Sequence, residues 1–321
     1  MTSKGHASAA LRFVAVKIAV AALTLWVVSV VIFGLVNILP TDSAFVALGH
    51  ESTAEQRAVF RETMHLNDPP AERYLGWLRG ILHGDFGVSA VSDRPIADDI
   101  LTRLKFTSIL AVSALLLSIA ISVPLALYAA TRAGGKVDTI VTAGALSVSA
   151  LPEYVIGLVL LVILSGDLHL LPPLSFDVVD GGLIGYFLPV LTLALVAAAY
   201  TYRFARVNVV EAMSAPYVRA AVLRGFTSRR ILWAHIVPNA SAAVVNVVAL
   251  NIVALFSGVI VIENVFAYPG LGTALLDAIN GKDFPSVEAI ALIMSGLIIG
   301  TNVLADVVVL ALTPRLRTIR A

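Results

Sequence analysis

The chain contains no cysteine in 321 residues. Disulfides, thiolate-ligated haem and cysteine-based zinc sites are thereby excluded. Charge is scarce too: Asp, Glu, Lys and Arg make up 13% of the residues and aromatics 7%, where a soluble domain carries about 25% charged residues. His50, His65, His83 and His169 are scattered without metal-ligand spacing, so no metal site is expected. A nucleotide-binding loop is also missing. Gly134-Gly135-Lys136 is followed by Val137, and Gly281-Lys282 by Asp283, so neither completes G-x-x-x-x-G-K-[ST]. The net charge of +1 carries little information, and nothing in the sequence calls for a nucleic-acid partner, a catalytic residue or a bound cofactor.

What the chain has in abundance is apolar sequence, 59% of residues with a mean hydropathy of +0.92. That composition describes a polytopic, all-α membrane protein, because backbone N–H and C=O groups in lipid must be satisfied within the chain, and a helix does so over roughly 20 apolar residues. Six segments qualify: Phe13 to Ile38, Thr107 to Ala130, Thr139 to Leu164, Leu183 to Tyr202, Ala240 to Ile262 and Val287 to Leu312. Each reads as one continuous span. The first resembles a secretory signal in having Lys4, Arg12 and Lys17 before its apolar run. It continues well past the about 7–15 residues of a cleavable core without a convincing small-x-small cleavage site, so a retained span is expected.

Lys and Arg in short loops set orientation. Fourteen of the 22 fall before or at the start of span one, between spans two and three, between spans four and five, and after span six. Both termini are therefore expected in the cytoplasm. The chain divides into a cytoplasmic tail with the first span (1–39), an external segment (40–106), a five-span core (107–312) containing a cytoplasmic loop at 208–239, and a tail (313–321). In the external segment, apolar spacing at Val59, Met64 and Leu66 and at Tyr74, Leu75, Leu78, Leu82 and Phe86 predicts short amphipathic helices, broken at Pro69-Pro70 and Gly84-Asp85-Phe86-Gly87. Two readings fit it: a solvated cap over the outer ends of the spans, or a docking surface for an external partner.

The cytoplasmic loop departs from the apolar background. Ser214 is expected to cap a short helix with Pro216 in its first turn, running through Tyr217, Val218, Ala220, Ala221 and Leu223, with Gly225 ending it in a left-handed conformation. Ala220 and Ala221 give the helix a slim face for close packing. Thr227 or Ser228 then caps a second helix bearing Arg229, Arg230, Trp233 and His235, and Pro238 marks re-entry into the fifth span. Such a pair serves equally as an amphipathic element meeting anionic lipid headgroups or as a surface for a soluble partner.

Polar groups inside spans face a cavity or another helix. Glu153, Tyr200 and Asn251 are candidates for lining a solute pathway, and so is Glu263 in the last external loop, which reads either as a plain connection or as a shaped re-entrant turn. Asn246 and Tyr202 are similarly open. Asp306 with Asn302 one turn earlier reads as a structural pair. Pro124 and Pro189 are expected to bend their helices.

The loop resembles the cytoplasmic signature of the membrane-spanning subunit of ABC importers, E-A-A-x3-G-x9-I-x-L-P. Ala220, Ala221, Gly225 and Pro238 match it, while Arg219, His235 and Val237 depart from it. Arg219 and His235 instead match the pattern of the dipeptide/oligopeptide/nickel permease family, Y-V-R-x-A-x-x-x-G followed by H-x-x-x-N-A, here Tyr217 to Gly225 and His235 to Ala240. Leu66-Asn67-Asp68-Pro69, Gly84 to Ser89, Arg203-x-x-Arg206 with Glu211, Phe266-x-x-Pro269-Gly270-Leu271-Gly272, Asn302-x-x-x-Asp306 and Pro314-Arg315-x-Arg317 extend the similarity along nearly the whole chain; Thr313 departs from the usual Asp. The resemblance implies a type I ABC importer permease fold of six transmembrane helices in the plasma membrane of a bacterium or archaeon. It implies as partners a second permease subunit, two ATP-binding subunits and an external solute-binding protein, besides membrane lipid. Tyr217, Arg219, Ala220, Ala221, Arg224, Gly225, Arg229 and Arg230 would be the residues that couple to the ATPase. Peptides are the implied solutes, with nickel chelates and other small molecules also handled in the family. An ion-coupled secondary carrier, motivated by Glu153 and Asp306, is the competing reading, although the two halves of the chain show no internal repeat.

Overall fold

The computed structural model describes residues 3–38, 52–63 and 67–312. Expectations for His50, Met64, His65, Leu66 and the tail from Thr313 onward lie outside the described residues. The elements are helices α1 (Ser3–Ile38), α2 (Ala54–Thr63), α3 (Pro70–Leu82), α4 (Ile96–Ala130), α5 (Lys136–Ala150), α6 (Glu153–Leu160), α7 (Phe187–Ser214), α8 (Pro216–Leu223), α9 (Ser228–Ile231), α10 (Val237–Val265), α11 (Leu271–Asn280) and α12 (Phe284–Leu312). Among the described residues the only extended pairing is an isolated bridge between Val88 and Pro95.

Among the described residues, five helical stretches are long and apolar enough to cross a membrane unbroken: Arg12–Ile38, Ile96–Ala130, Ile184–Ser214, Val244–Val265 and Phe284–Leu310. The third expected span is not continuous. Its two halves, Lys136–Ala150 and Glu153–Asp167, meet at an angle of 109°. Pro152 causes the break: the residue before a proline is driven out of the α region, and Leu151 sits at φ −99°, ψ 140°. Both halves are apolar, so hydropathy alone ran through the joint. Pro189 also behaves differently from expectation. It lies in the first turn of α7, where its missing N–H costs no hydrogen bond, so it opens that helix and does not bend it. Pro124 lies inside α4, which continues through it.

The chain packs as two units: Met1–Ile18, Ser108–Tyr268 and Gly300–Ala321 form one, and Ala19–Thr107 with Pro269–Ile299 form the other. In the first, α7 supplies the buried small residues Ala194, Ala197, Ala198, Ala199 and Ala205, which let neighbouring helices approach closely. Asn251 on α10 donates to the Thr201 hydroxyl at 2.6 Å and to the Ala197 carbonyl at 3.2 Å, and the hydroxyls of Thr142 on α5 and Tyr202 on α7 are 3.0 Å apart. Gly157 on α6 lies where a Cβ would come within 3.3 Å of both Phe266 and Thr192. Lys17 and Asp306, also of this unit, form an ion pair at 2.6 Å. Asp306 was expected to pair with Asn302; its cationic partner is on α1.

In the second unit the expected amphipathic helices are α2 and α3. Tyr74 and Trp77 of α3 pack on Phe33 of α1 with ring centroids 5.5 and 5.8 Å away, and Ser29 and Tyr74 share a hydrogen bond of 2.8 Å. The Asp283 carboxylate accepts from Ser89 Oγ at 2.6 Å, Ala90 N at 3.0 Å and Ser286 Oγ at 2.6 Å. The loop before the last span is built around α11, whose first N–H donates to Thr107 at 2.9 Å.

Candidate functional site

The basic loop forms where α7 ends. Ser214 is not the cap that its residue type suggests: its hydroxyl bonds back to the carbonyls of Val210 and Glu211, both at 3.0 Å, as the last residue of α7. Ala215, extended at φ −66°, ψ 148°, starts α8, with Pro216 in the first turn. Closure follows the expected course. Gly225 adopts φ 78°, its N–H bonds the Val222 carbonyl at 2.9 Å, and the Phe226 N–H bonds the Ala221 carbonyl at 3.2 Å. This double bond set is a Schellman motif, and the left-handed residue it requires is most easily a glycine. Thr227 then accepts from the Arg230 N–H at 3.4 Å, capping α9.

The second short helix is not a separate element. It passes through a π-helical turn, Leu232–Ile236, directly into α10. Pro238 cannot donate to the ladder, and a local change of helical pitch of this kind accommodates the missing bond.

Side chains of α8 divide into two faces. Val218 and Ala221 point inward and pack in a cluster with Ala130, Val209, Ile231, Ile236 and Ala240. Tyr217, Arg219, Ala220, Leu223 and Arg224 are exposed, Leu223 to 88%. The two alanines therefore do different jobs: Ala221 seats the helix on its own spans, and Ala220 belongs to the outward face. Arg229 and Arg230 are exposed as well. The Arg230 guanidinium lies 4.5 Å from the Phe226 ring centre, and the His235 ring stacks on Phe226 at 6.0 Å, so this cation is held in place by its aromatic neighbour. From Ala212 to Ala240 there is no Asp or Glu, which leaves the arginines' charge uncompensated within the loop.

The loop is tied to the broken span through α7. Arg206 donates Nε and Nη2 to the two carboxylate oxygens of Asp138, each at 2.6 Å, and Asp138 also accepts from the Gly134 N–H at 2.8 Å. In the sequence Arg206 stands out through its loop charge and the Arg203-x-x-Arg206 similarity, without a partner, and Asp138 was not singled out. The signal was present: Asp138 is the one acid between Arg132 and Ala150, in the first turn of a helix entering the membrane.

Three of the four pathway candidates come together. Glu153, Tyr200 and Asn251 line a cavity of about 480 Å³ on α6, α7 and α10, with Leu193, Phe204 and Gly258 among its other walls. Glu263 is not there. It is fully buried next to the loop after α10, where its carbonyl accepts the Tyr268 N–H at 2.7 Å. Burial, with the neighbouring Tyr186 hydroxyl, pushes the Tyr268 hydroxyl well above the usual tyrosine range. A second cavity of about 590 Å³ lies in the other unit, lined by Arg94, Asp98, Asp99, Arg103, Asp277 and Asp283 among others. Among the described residues no group of three or more metal-binding side chains is present.

Apolar spans, a cavity lined by α6, α7 and α10, and a closed basic loop describe a membrane protein of the transport permease class. Residues 122–318 match the family of binding-protein-dependent transport system inner membrane components, and residues 10–111 match the N-terminal region of such membrane components. The chain belongs to that family. It is 31% identical over 295 residues to the probable peptide ABC transporter permease protein y4tP of Sinorhizobium fredii, covering 90% of this chain and 94% of that one. It is 32% identical over 294 residues to the glutathione transport system permease protein GsiC of Escherichia coli K12, covering 92% and 95%, and 31% identical over 294 residues to GsiC of Salmonella choleraesuis, again covering 92% and 95%.

Proposed function

We propose that this chain forms half of the translocation pathway of an ATP-driven importer for peptides, and that α8 is the element through which partner ATPases move it. In this reading both termini are cytoplasmic, a second permease subunit completes the pathway, an external binding protein delivers the solute, and two ATP-binding subunits supply the energy. The carrying observation is the division of α8 into an anchored face, Val218 and Ala221, and a free face, Tyr217, Arg219, Ala220, Leu223 and Arg224. An element seated firmly on its own spans yet presenting unpartnered apolar and cationic groups is suited to a groove with an acidic rim, where charge complementarity fixes register. The peptide solute is supported by the names of the relatives from Sinorhizobium and Escherichia.

The ion-coupled alternative loses one of its two supports, since Asp306 is engaged by Lys17. Purification from the native membrane and reconstitution into liposomes discriminate between the two readings. Two ATPases and a second permease should accompany the chain, and tri-alanine uptake should stop when ATP is withdrawn at constant membrane potential. Gly225→Asp should insert normally and lose uptake, because it strains the left-handed turn and places a negative charge on the docking face. Uptake that persists without ATP, or in a well-expressed Gly225→Asp complex, overturns the coupling role.

A further inference from the structure

We propose that Glu153 receives the ammonium group of the transported solute, so that the cavity on α6, α7 and α10 selects for a free amino terminus. This deepens the peptide reading and rests on it. The starting point is an imbalance of charge. A carboxylate in an apolar span is costly unless it is paired. Asp138 is paired with Arg206 and Asp306 with Lys17, whereas no hydrogen bond or ion pair joins the Glu153 side chain to another described residue. Among the described residues that line the cavity, Glu153 is also the sole charged group.

The surroundings suit a cation. Glu153 occupies the first turn of α6, at the positive end of that helix's dipole. Its Oε1 lies over Gly258 of α10, at a point 3.0 Å from where a Cβ would sit, so the absence of a side chain there gives the carboxylate its place in the wall. Asn251 commits both amide hydrogens, to Thr201 and Ala197, and its carbonyl oxygen is left as an acceptor. The Tyr200 hydroxyl and the faces of Tyr200 and Phe204 complete the polar and aromatic lining. An ammonium has three donors and no acceptor, which this set of acceptors complements, and aromatic faces attract cations further. Among the described residues no Lys, Arg or His lines the cavity, so the carboxylate end of a peptide finds no counter-charge among them. The arrangement is polar in one sense, favouring entry amino end first.

Carbodiimide modification tests this on the native complex without nucleotide, so that the result does not depend on ATP coupling. Dicyclohexylcarbodiimide should modify Glu153, detected by mass spectrometry. Excess tri-alanine should protect it, and N-acetyl-tri-alanine, which lacks the ammonium, should not. In reconstituted importer, Glu153→Gln should lower tri-alanine uptake roughly tenfold, about 1.4 kcal/mol, with Glu153→Asp recovering part of it, while ATP hydrolysis stimulated by the binding protein persists. Equal protection by the two peptides, or none by either, overturns the proposal. A Glu153 that is unreactive before any peptide is added also overturns it, since a cation of the second permease then holds the carboxylate. A Gly225→Asp complex that shows protection but no uptake leaves the two readings independently supported; protection accompanied by ATP-independent uptake sinks the coupling reading alone.

Discussion

Arg206 of α7 grips Asp138 of α5 with two hydrogen bonds of 2.6 Å, Nε to Oδ1 and Nη2 to Oδ2. The Asp138 side chain is only 5% exposed and Arg206 24%, so neither charge has full access to water as an alternative partner. Because α7 runs on into α8, the pair connects the start of the broken span to the base of the basic loop. Asp138→Asn or Arg206→Gln alone should destabilise the complex by about 1–3 kcal/mol, the cost of leaving a charged partner unsatisfied. The double variant should recover much of that loss. The midpoint of thermal inactivation in detergent measures it; additive losses in the double variant would show that the two residues act independently.

How much of this was legible in the sequence depends on the kind of signal. Apolar runs located the five unbroken spans because length and hydropathy are properties of single segments. The glycine turn at Gly225 was legible for the same reason, and the next cap was narrowed to Thr227 or Ser228, because cap chemistry is local. Span three was misread where Pro152 overrode hydropathy, a local signal that was available and carried too little weight. Ser214 was misassigned because a serine hydroxyl within a helix can bond back to the preceding turn as readily as it caps the next helix. Asp138 with Arg206, and Lys17 with Asp306, were not legible as pairs. Each joins residues far apart in the chain, and nothing in a single sequence states which acid meets which base. For the site, residue types suggested Glu153, Tyr200, Asn251 and Glu263 alike; only the packing of α6, α7 and α10 separates the first three from the fourth.

The two faces of α8 should respond differently to substitution. Ala221 is 4% exposed inside the anchoring cluster, so Ala221→Leu overpacks it and should cost about 1–3 kcal/mol, seen as reduced thermal stability of the purified complex. Leu223, at 88% exposure, contributes nothing comparable to the fold of this chain. Leu223→Ser should leave folding and insertion unchanged and weaken the retention of ATPase subunits during purification. If Leu223→Ser instead unfolds the chain, or retains the ATPases as well as the parent does, the outward face is not the docking face.

Two glycines of the broken span give opposite expectations. At Gly157 a Cβ would meet Phe266 and Thr192 at 3.3 Å each, and the added branches of Gly157→Val would force α6 away from α7, with a loss of about 1–3 kcal/mol expected from overpacking. At Gly144 on α5 nothing lies within 4 Å of the corresponding position. Gly144→Ala should be neutral or stabilising by about 0.5–1 kcal/mol, since glycine is the poorer helix former. Thermal midpoints of the two variants, compared with the parent, check both signs. A tolerated Gly157→Val would mean that α6 does not pack on α7 as closely as the geometry requires.

The ion pair between Lys17 and Asp306, 2.6 Å long with side chains 39% and 42% exposed, can be tested through the chain's lack of cysteine. Lys17→Cys with Asp306→Cys introduces the only two thiols present, and a short bis-maleimide should join them within one polypeptide, giving a mobility shift that dilution does not abolish. In water a pair so exposed would contribute about 0–1 kcal/mol. In an apolar setting an unpaired charge is dearer than the pair is favourable, so Asp306→Asn alone should lower stability by more than Asp306→Asn combined with Lys17→Gln. Were the single and double variants equally stable, water or headgroups must already satisfy Lys17, and the pair would be incidental to holding α1 against α12. A crosslink that forms together with a rescued double variant would instead establish that the first and last spans are joined by charge where hydropathy analysis sees only lipid-facing helices.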